Sequence, residues 1–260
     1  MYQINRIALM ETSGYWGDSF GIVKVQHLFS NCNFLSPVQS ILSSGTTVLD
    51  IGCGPGTWIM EMAVEYPRTK FYGIDMFKMF PSHIVPANCY FQTANALEAL
   101  PYSDQSFGFV FIRDLGLAVY QKEWPSLITE VLRVLKPGGY LELVETDYFV
   151  QGEGEAFGKI SNGLYNALRA RDIHPSWTQK IGDYLNTMHM EDVNSFPQSF
   201  PVAQVMYISG EEYDELLRGV YQELLENGVH IKVICTYGRK PPQIGHEMEN
   251  VDCIKLCSDK

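Results

Sequence analysis

The stretch VLDIGCGPGTW, Val48–Trp58, is an apolar run carrying an acid, Asp50, that breaks into three alternating glycines, Gly52, Gly54 and Gly56. An apolar run of this length reads as a strand buried on both faces. Beyond it, Trp58, Ile59, Met62, Ala63 and Tyr66 recur at helical spacing until Pro67 stops them. A strand, a glycine turn and a helix in that order bring backbone close to a ligand, because glycine leaves no side chain between the two. N–H groups at the following helix N-terminus favour an anionic group.

The same alternation continues outward. TVLDI (Thr47–Ile51), KFYGID (Lys70–Asp75), CYFQTA (Cys89–Ala94), FVFIR (Phe109–Arg113) and YLELVET (Tyr140–Thr146) read as strands. A helix through Leu127, Val131, Leu132 and Leu135 opens on Pro125 and closes at KPGG. Strand-helix alternation predicts a Rossmann-like, doubly wound α/β fold. Further on, Ile160, Leu164 and Leu168 mark one helix, and Trp177, Ile181, Leu185 and Met188 the next. A strand around EDVNSFPQSFPV, an amphipathic helix from Tyr213 to Leu224 and a final strand HIKVICTYGRK complete the pattern. The expectation is a mostly parallel seven-stranded sheet with an antiparallel last strand. Residues 1–40 read as an N-terminal helical cap, 41–240 as the main domain and 241–260 as a polar tail.

Bulk properties narrow the function. The 260 residues are 46% hydrophobic and 19% charged, ordinary for a globular protein. A formal net charge of −11, with no basic run, argues against a nucleic-acid partner and gives no nuclear signal. Six cysteines without C-x-x-C or zinc-like spacing read as reduced, buried thiols. No apolar run reaches the roughly 20 residues of a membrane span. Neither a secretory leader nor a prenylation box is expected, so the reading is an intracellular, non-membrane protein, cytoplasmic rather than nuclear.

Glycine loops serve dinucleotides, nucleotides and sulfonium cofactors alike, so spacing matters. The dinucleotide pattern G-x-G-x-x-G needs glycine where Thr57 stands. Asp50 beside a pyrophosphate is unfavourable, whereas beside an ammonium it is useful. Asp75, at the end of the second strand, can accept both hydroxyls of a ribose. Asn95 follows the third strand, where a side-chain amide meets an adenine edge or simply makes a turn.

In combination, Asp50 through Glu145 resembles the class I S-adenosylmethionine-dependent methyltransferases: glycine loop, ribose acid, adenine segment and LKPGG turn stand in order. QHLF (Gln26–Phe29), YGIDMFKMFP, EWPSLITEVLRVLKPGGYLELVE and YGRKP further resemble the fungal methyltransferase-domain proteins related to the regulator of secondary metabolism, over Gln26 to Pro241. The resemblance implies S-adenosylmethionine as the cofactor. Asp50 and the backbone of Gly52 and Gly54 would hold its methionine part, with Gly56 completing the loop. Asp75 and Met76 would hold the ribose and flank the adenine, Asn95 and Ala96 would line the adenine, and Arg113 would face the methionine end or the acceptor.

A methyl acceptor, small molecule or protein, is implied, and no residue identifies it. An N-P-P-Y sequence, expected for amino-nucleobase substrates, is replaced by IRDLG after the fourth strand. Glu145, Asp147 and Tyr148 are expected beyond the fifth strand, on the acceptor side. Trp58 and Met62 read as core, His27 as a capping or packing residue, and Tyr15 and Trp16 as either a lid or an ordinary cap contact. Two features favour an alternative, a catalytically inactive regulatory or binding protein with a protein partner. Gly108 stands where the family has an acid, and the segment before the last strand is short. A nicotinamide oxidoreductase is disfavoured by Thr57 and by the lack of a Tyr-x-x-x-Lys pair.

Overall fold

The computed structural model describes residues 33–151, 155–201 and 230–242. After a loop at residues 33–38 come α1 (Gln39–Ser44), β1 (Thr47–Ile51), α2 (Thr57–Glu65), β2 (Lys70–Asp75), β3 (Cys89–Thr93) and β4 (Phe107–Arg113). A 3₁₀ turn, Gln121–Glu123, leads into α3 (Trp124–Val134) and β5 (Leu135–Gln151). Then follow α4 (Glu155–Arg169), a 3₁₀ segment at Pro175–Lys180, α5 (Ile181–Thr187), β6 (Glu191–Pro201) and β7 (His230–Arg239). The expected amphipathic helix at Tyr213–Leu224, most of the short segment before the last strand, residues 1–32 with Tyr15, Trp16 and His27, and most of the polar tail lie outside the described residues.

The seven strands form one sheet in the order β3-β2-β1-β4-β5-β7-β6. Strands β1 to β5 pair in parallel, and β7 runs antiparallel to both neighbours. The expected parallel sheet with an antiparallel last strand is what the chain forms. Chain order reverses between β1 and β4, and ligands of such sheets bind beyond the carboxyl ends of the strands at that reversal.

The two-residue period of the strands divides the core. Leu49, Ile51, Val110, Ile112, Leu141 and Leu143 face α3, α5 and Trp177 on one side. Val48, Phe71, Phe109, Phe111 and Val144 face α1, α2 and Phe34 on the other. There Trp58 stacks on Phe111, ring centroids 3.9 Å apart, and with Met62 is buried core, as its spacing predicts.

Several boundaries differ from the sequence reading. Strand β4 starts at Phe107, because Phe107 pairs with Leu135 before the register shifts at Gly108. For the same reason β5 begins at Leu135 and takes in KPGG, so those glycines do not close α3. Instead Leu135 turns extended, and Lys240 Nζ donates to the carbonyls of Leu132 and Leu135 at 2.6 and 2.8 Å. The helix expected from Trp177 to Met188 begins as 3₁₀ and becomes α only at Ile181.

Candidate active site

The carboxyl ends of β1, β2 and β3 and the loop after β4 surround a cleft. It is lined by Gly52, Asp75 and Met76, by Ala94–Leu97, and by Leu115, Ala118 and Val119. Its empty space, open solvent included, is about 480 Å³. Of the expected residues, Gly52, Asp75, Met76, Asn95 and Ala96 meet here; Asp50, Gly54, Gly56 and Arg113 do not line it.

Asp75 is the organising side chain. Its Oδ2 accepts the backbone N–H of Gly54 and its Oδ1 that of Phe77, each at 2.9 Å. Each oxygen keeps a further acceptor position, which is what a vicinal diol requires. The first bond also fixes the glycine loop against the end of β2.

The three glycines serve different ends. All have left-handed backbone, with φ of 75°, 53° and 76° at Gly52, Gly54 and Gly56. A Cβ on Gly52 would lie 2.6 Å from Leu115 Cδ2, and one on Gly56 2.6 Å from the Phe91 ring. A Cβ on Gly54 would meet nothing within 4 Å. Gly56 therefore admits a packed aromatic, whereas Gly54 leaves backbone open to a ligand.

Asp50 and Arg113 lie on neighbouring strands, where the pairing of Asp50 with Phe111 puts both side chains on one face. Asp50 is 4% exposed, and burial pushes its carboxyl up to about 7; the Arg113 charge opposes this and Asp75 adds to it. Burial likewise raises Asp114, which Arg113 opposes. Asn95 lines the cleft but is also a turn residue. Its Oδ1 accepts the Leu97 N–H at 3.1 Å and its Nδ2 donates to Glu98 at 3.2 Å.

Glu145, Asp147 and Tyr148 lie within β5 and not beyond it, because that strand extends to Gln151. Glu145 and Asp147 are buried, and Asp147 accepts a hydrogen bond from Gln179 at 2.6 Å. The sequence reading missed Glu142, wholly buried on the opposite face, which accepts the N–H groups of Leu35 and Ser36, the Ser36 hydroxyl and the Cys235 thiol. It thereby ties the segment before α1 to β5 and β7. The wall formed by Leu115, Ala118 and Val119 was also missed. The acids in YLELVET were the available signal, since charge within an otherwise apolar strand needs a partner.

A strand order with β7 between β5 and β6, and an acid held at the end of β2 beside a glycine loop, define a methyltransferase-type α/β fold. Residues 48–139 match the family described as methyltransferase domain. Methyltransferase str2 of Strobilurus tenacellus is 28% identical over 157 residues, covering 59% of this chain and 55% of that protein. For methyltransferase pytC of Aspergillus terreus the figures are 27% over 237 residues, with 76% and 71% covered. The secondary metabolism regulator laeA of Coprinopsis cinerea is 31% identical over 102 residues, with 39% and 25% covered. The chain thus spans little more than half the length of the str2 relative.

Among solved structures, a phosphoethanolamine N-methyltransferase 2 of Haemonchus contortus, in complex with S-adenosyl-L-methionine, superposes with a TM-score of 0.56 at 18% identity. It covers 76% of this chain and 49% of that one, and supports the fold. Residues 48–139 thus match a methyltransferase domain, more than half of the chain is similar to fungal methyltransferases, and a shorter stretch is similar to a laeA regulator.

Proposed function

We propose that this protein binds S-adenosylmethionine in the cleft between the glycine loop and the loop after β4, and transfers its methyl group to a small-molecule or protein acceptor. The observation that carries the reading is Asp75, pinned by Gly54 and Phe77 with acceptor capacity facing the cleft. Asp75 would accept the ribose hydroxyls, Met76 would flank the adenine, and Asn95 and Ala96 would line it. Gly52 and Gly54 would present backbone to the methionine part, with Gly56 starting the helix beneath. Asp50 would balance the ammonium, and Arg113 the carboxylate or the acceptor.

When bound, S-adenosylmethionine supplies a sulfonium-activated methyl: its C–S bond breaks as the bond to the acceptor atom forms, and the sulfur keeps the electron pair. The chain's contribution is alignment and exclusion of water, which accounts for a site without a nucleophile triad. A base is needed only where the acceptor carries a proton, which then passes to that base or to solvent.

Residues 41–240 would form the methyltransferase domain, 1–40 a cap and 241–260 a tail. No helix of the described residues is long and apolar enough to cross a membrane. The buried thiols Cys53, Cys89 and Cys235, none in a disulfide, support a reducing, intracellular setting, with the cytoplasm favoured by the lack of a basic run. The net charge of −11 speaks against nucleic acid as acceptor. The non-catalytic regulatory alternative gains nothing at Gly108, where the Thr46 hydroxyl occupies the space that an acid would need.

Calorimetric titration with S-adenosylmethionine tests the reading, with NAD as control. Micromolar binding that falls at least tenfold in Asp75→Ala is expected, since two ribose hydrogen bonds are lost. Absence of binding by the wild type overturns it.

A further inference from the structure

Glu145 is fully buried on β5 and does not line the cleft. Its two oxygens each accept a backbone N–H from the loop after β4: Oε1 from Leu115 at 3.0 Å and Oε2 from Gly116 at 2.8 Å. The loop is sharply bent there, Asp114 having φ of 51°. Asp114 N–H donates to the Val144 carbonyl at 3.0 Å, and the Thr146 hydroxyl donates to Asp114 at 2.8 Å. Three successive residues of the loop are thus held by three successive residues of β5.

What is held matters to the cleft. Leu115 lines it, and its Cδ2 fills the space a Cβ on Gly52 would need. The Leu115 carbonyl in turn accepts the N–H groups of Ala118 at 2.8 Å and Val119 at 3.1 Å, and both of those residues line the cleft as well. One wall therefore hangs from Leu115, and Leu115 hangs from Glu145.

Filling volume alone does not explain an acid at this position. Leu141 and Leu143 fill the same face of β5 with apolar side chains. Glu145 instead bears the cost of burial beside the Asp114 carboxyl, which pushes its own carboxyl up to about 8. An apolar residue here would leave two N–H groups unpaired in the core.

We propose that Glu145 is a positioning residue for S-adenosylmethionine, clasping the Leu115–Val119 wall of the cleft against the glycine loop without touching the ligand. The inference rests on the reading of the cleft given above.

Glu145→Gln preserves shape but turns one acceptor into a donor that faces a backbone N–H. Three quantities are measured on the full chain: affinity for S-adenosylmethionine by calorimetry, amide exchange at Leu115 and Gly116, and Tm. The expected result is at least a tenfold loss of affinity with faster exchange at both amides. Glu142→Gln, on the opposite face of the same strand, is expected to lower Tm while leaving affinity within twofold. If Glu145→Gln does not fold, Gly116→Ala, whose Cβ would lie 2.9 Å from Glu145 Oε2, displaces the clasp from its other side with the same expected loss. A folded clasp variant with affinity within twofold of wild type overturns the inference alone. A wild type that does not bind overturns the reading of the cleft and the inference with it.

Discussion

The Thr46 hydroxyl occupies the space that a Cβ on Gly108 would need, so the turn before β1 and the start of β4 fit each other through a missing side chain. Gly108 also sits at the register shift between β4 and β5, and its carbonyl lies 2.9 Å from where a Cβ on Gly139 would project. Gly108 is thus matched by its neighbours.

This pairing predicts a recoverable clash. Gly108→Asp is expected to destabilise the protein by roughly 1–3 kcal/mol, the usual cost of forcing atoms into a packed site. In a Thr46→Ala background at least half of that loss should return. Denaturant unfolding of the four proteins of the cycle reads the coupling. A purely additive pair would show that the hydroxyl is not what excludes a side chain.

Gly54 and Gly56 are expected to separate by function. Gly54→Ala puts a methyl into open space on a left-handed backbone, a strain of about 1 kcal/mol, and should weaken S-adenosylmethionine binding at least tenfold. Gly56→Ala adds a collision with Phe91 and should lower Tm further. Phe91→Leu in the Gly56→Ala background should restore part of that loss. Equal Tm losses with no difference in affinity would contradict the division of labour.

Asp50 carries a pH prediction whose sign is set by burial. Its folded carboxyl sits near 7 against an ordinary 3.8. Between those values the unfolded chain releases a proton that the native state keeps. Its contribution to stability therefore falls as pH rises through that window, by about 1.4 kcal/mol for each tenfold drop in proton concentration. Asp50→Asn should flatten this slope and melt above the wild type at pH 8, while binding S-adenosylmethionine more weakly. A cation bound beside Asp50 pulls its pKa down, so binding should release a proton near pH 7 and tighten from pH 6 to 8. Calorimetry in phosphate and in Tris measures the proton count; uptake in place of release would remove Asp50 from the ammonium site.

Much of this protein is determined by sequence alone. Five strands, the helices between them and the glycine loop follow from periods of 2 and 3.6 residues and from local breakers, which act between neighbours in the chain. The placement of Asp75 at the end of β2 follows in the same way, whereas its hydrogen bond from the Gly54 N–H, 21 residues away, needs β1 paired with β2. Tertiary structure decided the rest. It made Gly56 a packing glycine and Gly54 an open one, because Phe91 reaches the loop only once β3 has paired with β2. Pairing of Phe107 with Leu135 carried β5 back through KPGG, and this left the end of α3 to Lys240, 108 residues beyond Leu132. It gave Glu142 and Glu145 their partners on opposite faces of one strand, 106 and 30 residues away. A buried charge is satisfied by whatever the sheet register brings opposite it, and contacts at that separation leave no period in the sequence.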